Sequence, residues 1–451
     1  MTEFSAPLSA DRALEVVGSA VRGGSADQVE ATLLARAGEY TRFAGERVHQ
    51  PQDITEVQVV VRAVVDGHAA RVSTSRLDRV ADAVTAATAT ARDLARIAGT
   101  PGTVRLGEPA PVTEPDHWHA DTAAFDAVAR VALAGKAMRA AGAADGSAAG
   151  MIGRAATQIA VATSTGILRH AVATEATGSL TVTTAAPSGS SQWTDLHRSS
   201  DALHTEAAIE TAVRRASAGR GRVELPAGKY TVVLGPQATA ELLSFLGVLG
   251  FSGDLAAAGV GICASETGTR VASGMIDIAD DAHHPFGLPI PFDAEGTPKT
   301  RVPFLTAGVV GEPVTDLATA RHPTGHAHTA REAAPAPVPA NVVMTPGIQS
   351  EQELIAGVAD GVYVERFWYT RLVDRQASTI TGVSRDACFR ITDGRLAQPV
   401  AGARFTQSIV DFLATVDGVG DRLQSQPIMN VWNGSVTAPA VRGHGFRFGL
   451  A

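Results

Sequence analysis

Residues 57–75 read VQVVVRAVVDGHAARVSTS, and the reading of this stretch decides the fold class. Two runs rich in β-branched residues, Val57 to Val65 and Ala69 to Ser75, flank Asp66-Gly67. An Asp-Gly pair supplies the two positive-φ positions of a tight hairpin turn, so the runs are predicted to be neighbouring antiparallel strands. The next segment, Arg76 to Ile97, is long and Ala-rich. Its apolar residues Leu77, Val80, Val84 and Ala87 recur at helical spacing, and Gly99-Thr100-Pro101-Gly102 stops it. That pattern predicts a helix packed on the sheet.

Working outward, Val29 to Ala35 and Tyr40 to Phe43 read as two further short strands, giving a four-stranded antiparallel sheet. Before them, Ser9 to Val21 places Ala13, Leu14, Val17, Ala20 and Val21 on one helical face and ends at Gly23-Gly24. Beyond a Pro-rich linker, Leu106 to Pro115, a helix is predicted from Thr122 to Ala141, then strands over Ala155 to Ser164 and Ala171 to Thr184. Ser188 to Ser191 reads as a polar loop and Asp201 to Ser217 as a helix.

Gly219-Arg220-Gly221-Arg222 follows a helix instead of opening one, so it reads as a domain junction and not a phosphate loop. The boundary is therefore set between a domain of residues 1–222 and one of residues 223–451. The second opens with a strand, Tyr230 to Leu234, and a helix, Gln237 to Leu249, and continues mainly in short strands, with Ala334 to Ala340 an extended surface loop. Helices and antiparallel strands without a βαβα rhythm predict an α+β fold: a mixed helix and antiparallel-sheet N-terminal domain followed by a mainly β C-terminal domain.

Composition narrows the function classes. With 451 residues, 45% hydrophobic and 19% charged, the chain can bury a large core. A net charge of -8 with scattered Lys and Arg offers no footprint for nucleic acid. No uninterrupted apolar run reaches the length of a membrane span, and the first twenty residues lack a secretory pattern, so a cytoplasmic protein is expected. Cys263 and Cys388 are too few for a disulfide framework and read as buried small hydrophobes.

Among chemistry-bearing residues, His322, His326 and His328 stand closest together. Three imidazoles in seven residues suit a metal, but Pro323 and Gly325 argue for a loop, and no acidic neighbour completes a site. They are expected to line a substrate cleft or an exposed loop. His283-His284 near Asp277, Asp280 and Asp281 reads as an exposed turn, and His117 and His119 as surface packing. No Gly-x-Ser-x-Gly elbow frames a nucleophile, and Cys388 sits on a predicted strand.

A series of segments in one order resembles the TldD/PmbA peptidase family. They are Thr41 to Gln50, the hairpin at Asp66-Gly67, Leu225-Pro226-Ala227-Gly228-Lys229-Tyr230-Thr231-Val232-Val233-Leu234, Asp293 to Arg301, Pro323 to Ala327, and Ile391 to Leu396 with Pro399-Val400. The resemblance spans almost the whole chain and implies the family's two-domain architecture. It also implies a helix directly after Leu234 that in active members carries His-Glu-x-x-x-His, two imidazoles for one zinc and a Glu for the water proton.

Here Ser244 and Phe245 stand at the first His and the Glu, and Leu249 at the second His. The C-terminal stretch Met429 to Gly434, which corresponds to the family's Cys ligand, contains no Cys. This pattern is similar to the TldE or PmbA branch. It implies no cofactor in this chain, zinc in a TldD-like metallopeptidase partner, and a shared chamber for unfolded or modified peptide substrates. Two other readings remain open: a stand-alone amide- or peptide-processing enzyme of a biosynthetic pathway, and a homodimeric peptide-binding protein.

Overall fold

Three long antiparallel strands grow from the Asp66-Gly67 turn in the computed structural model, which describes residues 4–112, 117–288, 290–328, 336–428 and 434–449. They are Gln28–Ala44 (β1), Arg47–Val65 (β2) and His68–Thr74 (β3). Asp66 and Gly67 take φ of 48° and 71°, as the hairpin demands. The two short strands expected at 29–35 and 40–43 are one strand. Their apparent break, Arg36 to Glu39, is polar but paired: Arg36 lies 2.8 Å from Glu175, and Glu39 accepts from Arg130 and Arg154. A second tight turn at Gly45-Glu46, φ 55° and 66°, returns the chain.

Gly146–Thr163 (β4), Leu168–Thr184 (β5) and Ser190–His197 (β6) complete a six-stranded sheet in the order β3-β2-β1-β4-β5-β6. The polar loop expected at Ser188 to Ser191 is thus partly strand, because Ser191 is buried and its hydroxyl donates to Glu365, 2.7 Å away. Ala10–Arg22 (α1) begins at an N-cap in which the Ser9 side chain accepts from Arg12 N–H. Val80–Ala98 (α2) ends on Gly99 in the left-handed region. The helix expected over 122–141 is broken into Ala120–Ala124 (α3) and Ala127–Ala143 (α4), since Asp126 caps a new start by accepting from Ala129 N–H. Thr205–Ala218 (α5) follows.

Alternation along β1 sorts the sheet into two faces. Val29, Ala31, Leu33 and Ala35 join Val59, Val61 and Ala63 under α1 and α2, while α4 and α5 cover Phe43, Ile152 and Leu180. The opposite face carries Glu30, Thr32 and Leu34 of β1 with Arg62 of β2, and it receives the segment around Phe292 to Glu295.

From residue 228 on the chain is mainly β. One sheet runs, in spatial order, Val309–Val310 (β10), Val302–Thr306 (β9), Ile278–Asp280 (β8), Asn341–Met344 (β13), Ser435–Ala438 (β20) and Gln424–Pro427 (β19). Another runs Asp360–Asp374 (β14), Gly228–Leu234 (β7), Val441–Phe448 (β21), Arg404–Ser408 (β17), Thr379–Thr392 (β15) and Arg395–Pro399 (β16), with Gly418–Val419 (β18) beside β21. A β14–β15 pairing closes five of these strands into a ring. β14 and β15 are long where short strands were expected, since paired Arg366 and Asp386 let polar residues continue the ladder.

Ala327–His328 (β11) pairs with Ala336–Pro337 (β12), so residues 336–337 within the expected 334–340 loop form a short strand, with residues 334 and 335 outside the described residues. Pro236–Gly250 (α6) lies between the two larger sheets, and Gly253–Ala257 (α7), Ile262–Ser265 (α8), Glu351–Ala356 (α9) and Ile409–Ala414 (α10) are short. The fold is α+β with a mainly β C-terminal region.

The two parts of the chain are joined by a buried charge triad. Arg62 donates from Nη2 to Glu30 and from Nη1 to Glu295, each at 2.7 Å, with all three side chains almost fully buried. Truncating Arg62 leaves two buried carboxylates unpaired. Arg62→Ala is therefore expected to cost about 3–5 kcal/mol in urea unfolding, whereas Arg76→Ala, at an exposed pair with Asp78, is expected to leave the unfolding midpoint nearly unchanged.

Candidate functional site

Helix α6 follows β7 through Gly235, its N-cap, and begins with Pro236, whose fixed φ and missing N–H suit the first turn. Almost every residue from Gln237 to Gly247 is buried, because one side packs on β14 and the other on β19 and β20. Ser244 and Phe245 are buried, Phe245 within the largest apolar cluster, and Leu249 packs against that cluster from its edge. A hydroxyl, a phenyl ring and a branched alkyl chain are not a zinc donor set, and none of them moves a proton at neutral pH. Among the described residues no three His, Cys, Asp or Glu side chains gather as metal ligands. Met429 to Asn433, most of the stretch read for a Cys ligand, lie outside the described residues.

The three histidines do not converge. His322 is exposed, whereas His326 and His328 border one cavity of about 60 Å³ with Leu34, Phe292 and Lys299. His326 is fully buried, and its Nε2 donates to Asp280 Oδ1 over 3.0 Å, while Thr324 Oγ1 stands 2.9 Å from Nδ1. Asp280 is the acidic partner that the sequence reading missed, because 46 residues separate the pair. Its Oδ2 accepts from Ala340 N–H at 2.5 Å and Asn341 N–H at 2.9 Å. Burial opposes ionisation of Asp280, but His326, Lys299 and the backbone N–H of Asn341 outweigh it and hold the carboxyl at about 2.

Asp293 lines the same cavity. It accepts from the backbone N–H groups of Glu295, Thr297 and Ala327 at 2.8–2.9 Å and so shapes the turn that carries Glu295 to Arg62. Burial, reinforced by the Glu295 carboxylate, pushes Asp293 up to about 8. Both nitrogens of His326 are engaged and the carboxylates are saturated with donors, so this cluster fastens loops together. Sequence patterning gives no sign of it.

A larger cavity, about 400 Å³, opens where β6 and α5 meet the N-termini of α6 and α9. Its wall includes Trp193, Arg215, Gln237, Tyr363 and Glu365. Glu365 accepts the Ser191 hydroxyl at 2.7 Å and Gln192 N–H at 2.8 Å. Arg215 donates to Glu365 and Glu351 and lies over the Tyr363 ring, 4.9 Å from its centre. Burial raises both Glu365 and Tyr363 above their ordinary ranges. Asp195, pushed up to about 7 by burial, accepts from Leu196 and Ser425 N–H and ties β6 to β19. Gln192, Gln237, Gln352 and Gln424 also line this cleft; the Gln192, Gln237 and Gln424 amides donate to the carbonyls of Trp193, Gln192 and Thr194 and brace β6. Ser191, Glu365 and Arg215 lay outside the sequence-based candidates, since alternation shows burial but not the partner.

His117 is buried beside Arg198, with Nδ1 3.1 Å from its guanidinium, rather than at the surface as expected. Cys388 is a core position on β15. His283 is exposed and His284 packs near Phe286.

The depressed Asp280 carboxyl stabilises the fold above its unfolded value, and that contribution is lost as pH falls from about 4 toward 2. Asp280→Asn is accordingly expected to be less stable at pH 7 and to show a shallower loss of stability over that interval in acid unfolding monitored by circular dichroism.

Residues 227–449 match the PmbA/TldA metallopeptidase C-terminal domain. Over 202 residues the chain is 28% identical to a protein of Methanothermobacter thermautotrophicus called Metalloprotease, a match that spans 43% of this chain and only 43% of that protein. In structure the chain is similar to TldE from Thermococcus kodakarensis, with a TM-score of 0.86 and 18% identity over 98% of this chain and 100% of that one. A proposed modulator of a DNA gyrase from Thermotoga maritima superposes with a TM-score of 0.82 and 19% identity over 97% and 99% of the two chains. At these identities the structural likenesses establish the fold. The matched model carries the family assignment: residues 227–449 form a C-terminal domain of the PmbA/TldA metallopeptidase family.

Proposed function

We propose that this chain is a zinc-free subunit of the TldE type, pairing in the cytoplasm with a zinc-bearing relative of the TldD type in a heterodimeric metallopeptidase. One observation supports the reading: on α6, Ser244, Phe245 and Leu249, which the sequence resemblance sets at the positions of the motif's His, Glu and His, are packed into or against the largest core. Installing ligands there would require burying charge in an apolar cluster. No reaction step is therefore assigned to α6.

The chain's part in the reaction is to bind and enclose. The cleft beside the N-terminus of α6 offers an extended peptide a polar and aromatic wall that includes Trp193 and Tyr363, and the internally paired Arg215, Glu351 and Glu365 keep that wall rigid. Unfolded or modified peptides suit a site that reads main-chain groups more than side chains. In this reading residues 1–222 and 223–451 act as two domains, with the cleft between their facing edges.

The test is zinc content and peptidase turnover for the purified chain alone and mixed with a family relative that carries His-Glu-x-x-x-His. No stoichiometric zinc and no turnover alone, with turnover and an equimolar complex on mixing, is the expected result. Stoichiometric zinc or turnover in the isolated chain overturns the proposal.

A further inference from the structure

The β14–β15 hairpin carries an aromatic and cationic ridge that the fold does not use. Trp368 is 50% exposed and Tyr369 65%, with Val373 exposed beyond them. Adjacent residues on a regular strand point to opposite faces, yet here both rings reach solvent. The register with β15 breaks between Trp368 and Arg371, and Tyr369 takes φ 54°, a left-handed conformation that a bulky residue rarely adopts. Backbone held in that region marks sites where function opposes local preference.

The guanidinium groups around these rings are arranged at some cost. Arg366 and Arg385 stand directly opposite each other on β14 and β15, a like-charge pairing that disfavours the sheet. Both lie over Trp368, at 5.2 and 4.7 Å, and Arg371 lies over Tyr369 at 4.4 Å. Asp386 neutralises Arg366 at 2.6 Å. Among the described residues, Arg371, Arg375 and Arg385 have no carboxylate within ion-pair distance, although the whole chain carries a net charge of -8.

We infer that this ridge docks the zinc-bearing relative, through a recess on that subunit that accepts the two rings and is rimmed by carboxylates. The inference rests on the pairing proposed above and names the surface that performs it. Exposed Trp, Tyr and Arg together are the residue types that carry most of the energy in protein interfaces, where desolvated aromatic anchors sit inside a polar rim. Three uncompensated guanidiniums select an acidic partner face. Arg366 also places the ridge beside the motif helix, since Glu241 of α6 lies within the influence of Arg366 and Thr370. A partner seated here would approach the helix that lacks zinc ligands.

The experiment measures association of the full chain with the relative by sedimentation and by tryptophan emission. The wild type is expected to bind with a blue shift, the Trp368→Ala/Tyr369→Ala variant about a hundredfold more weakly, and Trp368→Phe/Tyr369→Phe in between. Arg371→Glu/Arg385→Glu is expected to bind at least about tenfold more weakly and to lose most of the salt dependence. Thermal melts equal to wild type certify that each variant is folded. Association that the alanine variant leaves unchanged overturns the surface but not the pairing. A wild-type chain that ignores the relative overturns both. Self-association, or capture of a labelled oligonucleotide, that depends on these same residues while binding to the relative does not, reassigns the ridge and overturns this inference.

Discussion

Helix α6 is enclosed on nearly every side, and that enclosure governs the rest of the C-terminal region. Leu242, Leu243 and Leu246 each contribute roughly 1.5–3 kcal/mol by leaving water, and the two sheets that supply their surroundings are held at the helix from opposite sides. A carboxylate or imidazolium placed among them would need its own partner to offset the loss of hydration. Phe245 and Leu249 avoid that requirement by being apolar. All three positions, Ser244, Phe245 and Leu249, serve packing here, and at the N-terminus of α6 Gln237 donates to the Gln192 carbonyl of β6 at 2.9 Å.

Elsewhere among the described residues several buried charges are held by partners. Arg62 joins Glu30 to Glu295, His326 joins Asp280 to the 324–327 turn, and Asp293 gathers three backbone N–H groups. These clusters lie where the back face of the first sheet meets the loops of the second region, so they fix the relation between the two parts of the chain. Closed networks of this kind make rigid walls. They explain how a large cleft can stand between β6, α5 and α6 without a catalytic constellation to justify it.

Much of this architecture is legible in the residues. Ser9 and Gly23 bracket α1, Asp66-Gly67 turns the first hairpin, Pro236 opens α6, and the alternation around Cys388 places it in the core. Three of the misreadings share one cause. Polarity at Arg36 and Glu39, at Ser190 and Ser191, and at Arg366 and Asp386 resembles a loop or an exposed edge. Each of these residues is instead satisfied by a partner far along the chain, which no local pattern discloses. The same holds for the candidate site. The helix after Leu234 is expected from the sequence, whereas the Asp280 and His326 pair and the Glu365 cleft depend on contacts 46 to 174 residues apart.

The claim at the centre of this account is that zinc belongs to the other subunit, and crystals of the mixed complex test it most directly. Anomalous scattering recorded at the zinc edge should give a peak in the relative's His-Glu-x-x-x-His helix and none within this chain. A peak beside α6 of this chain, or among His322, His326 and His328, would contradict the account.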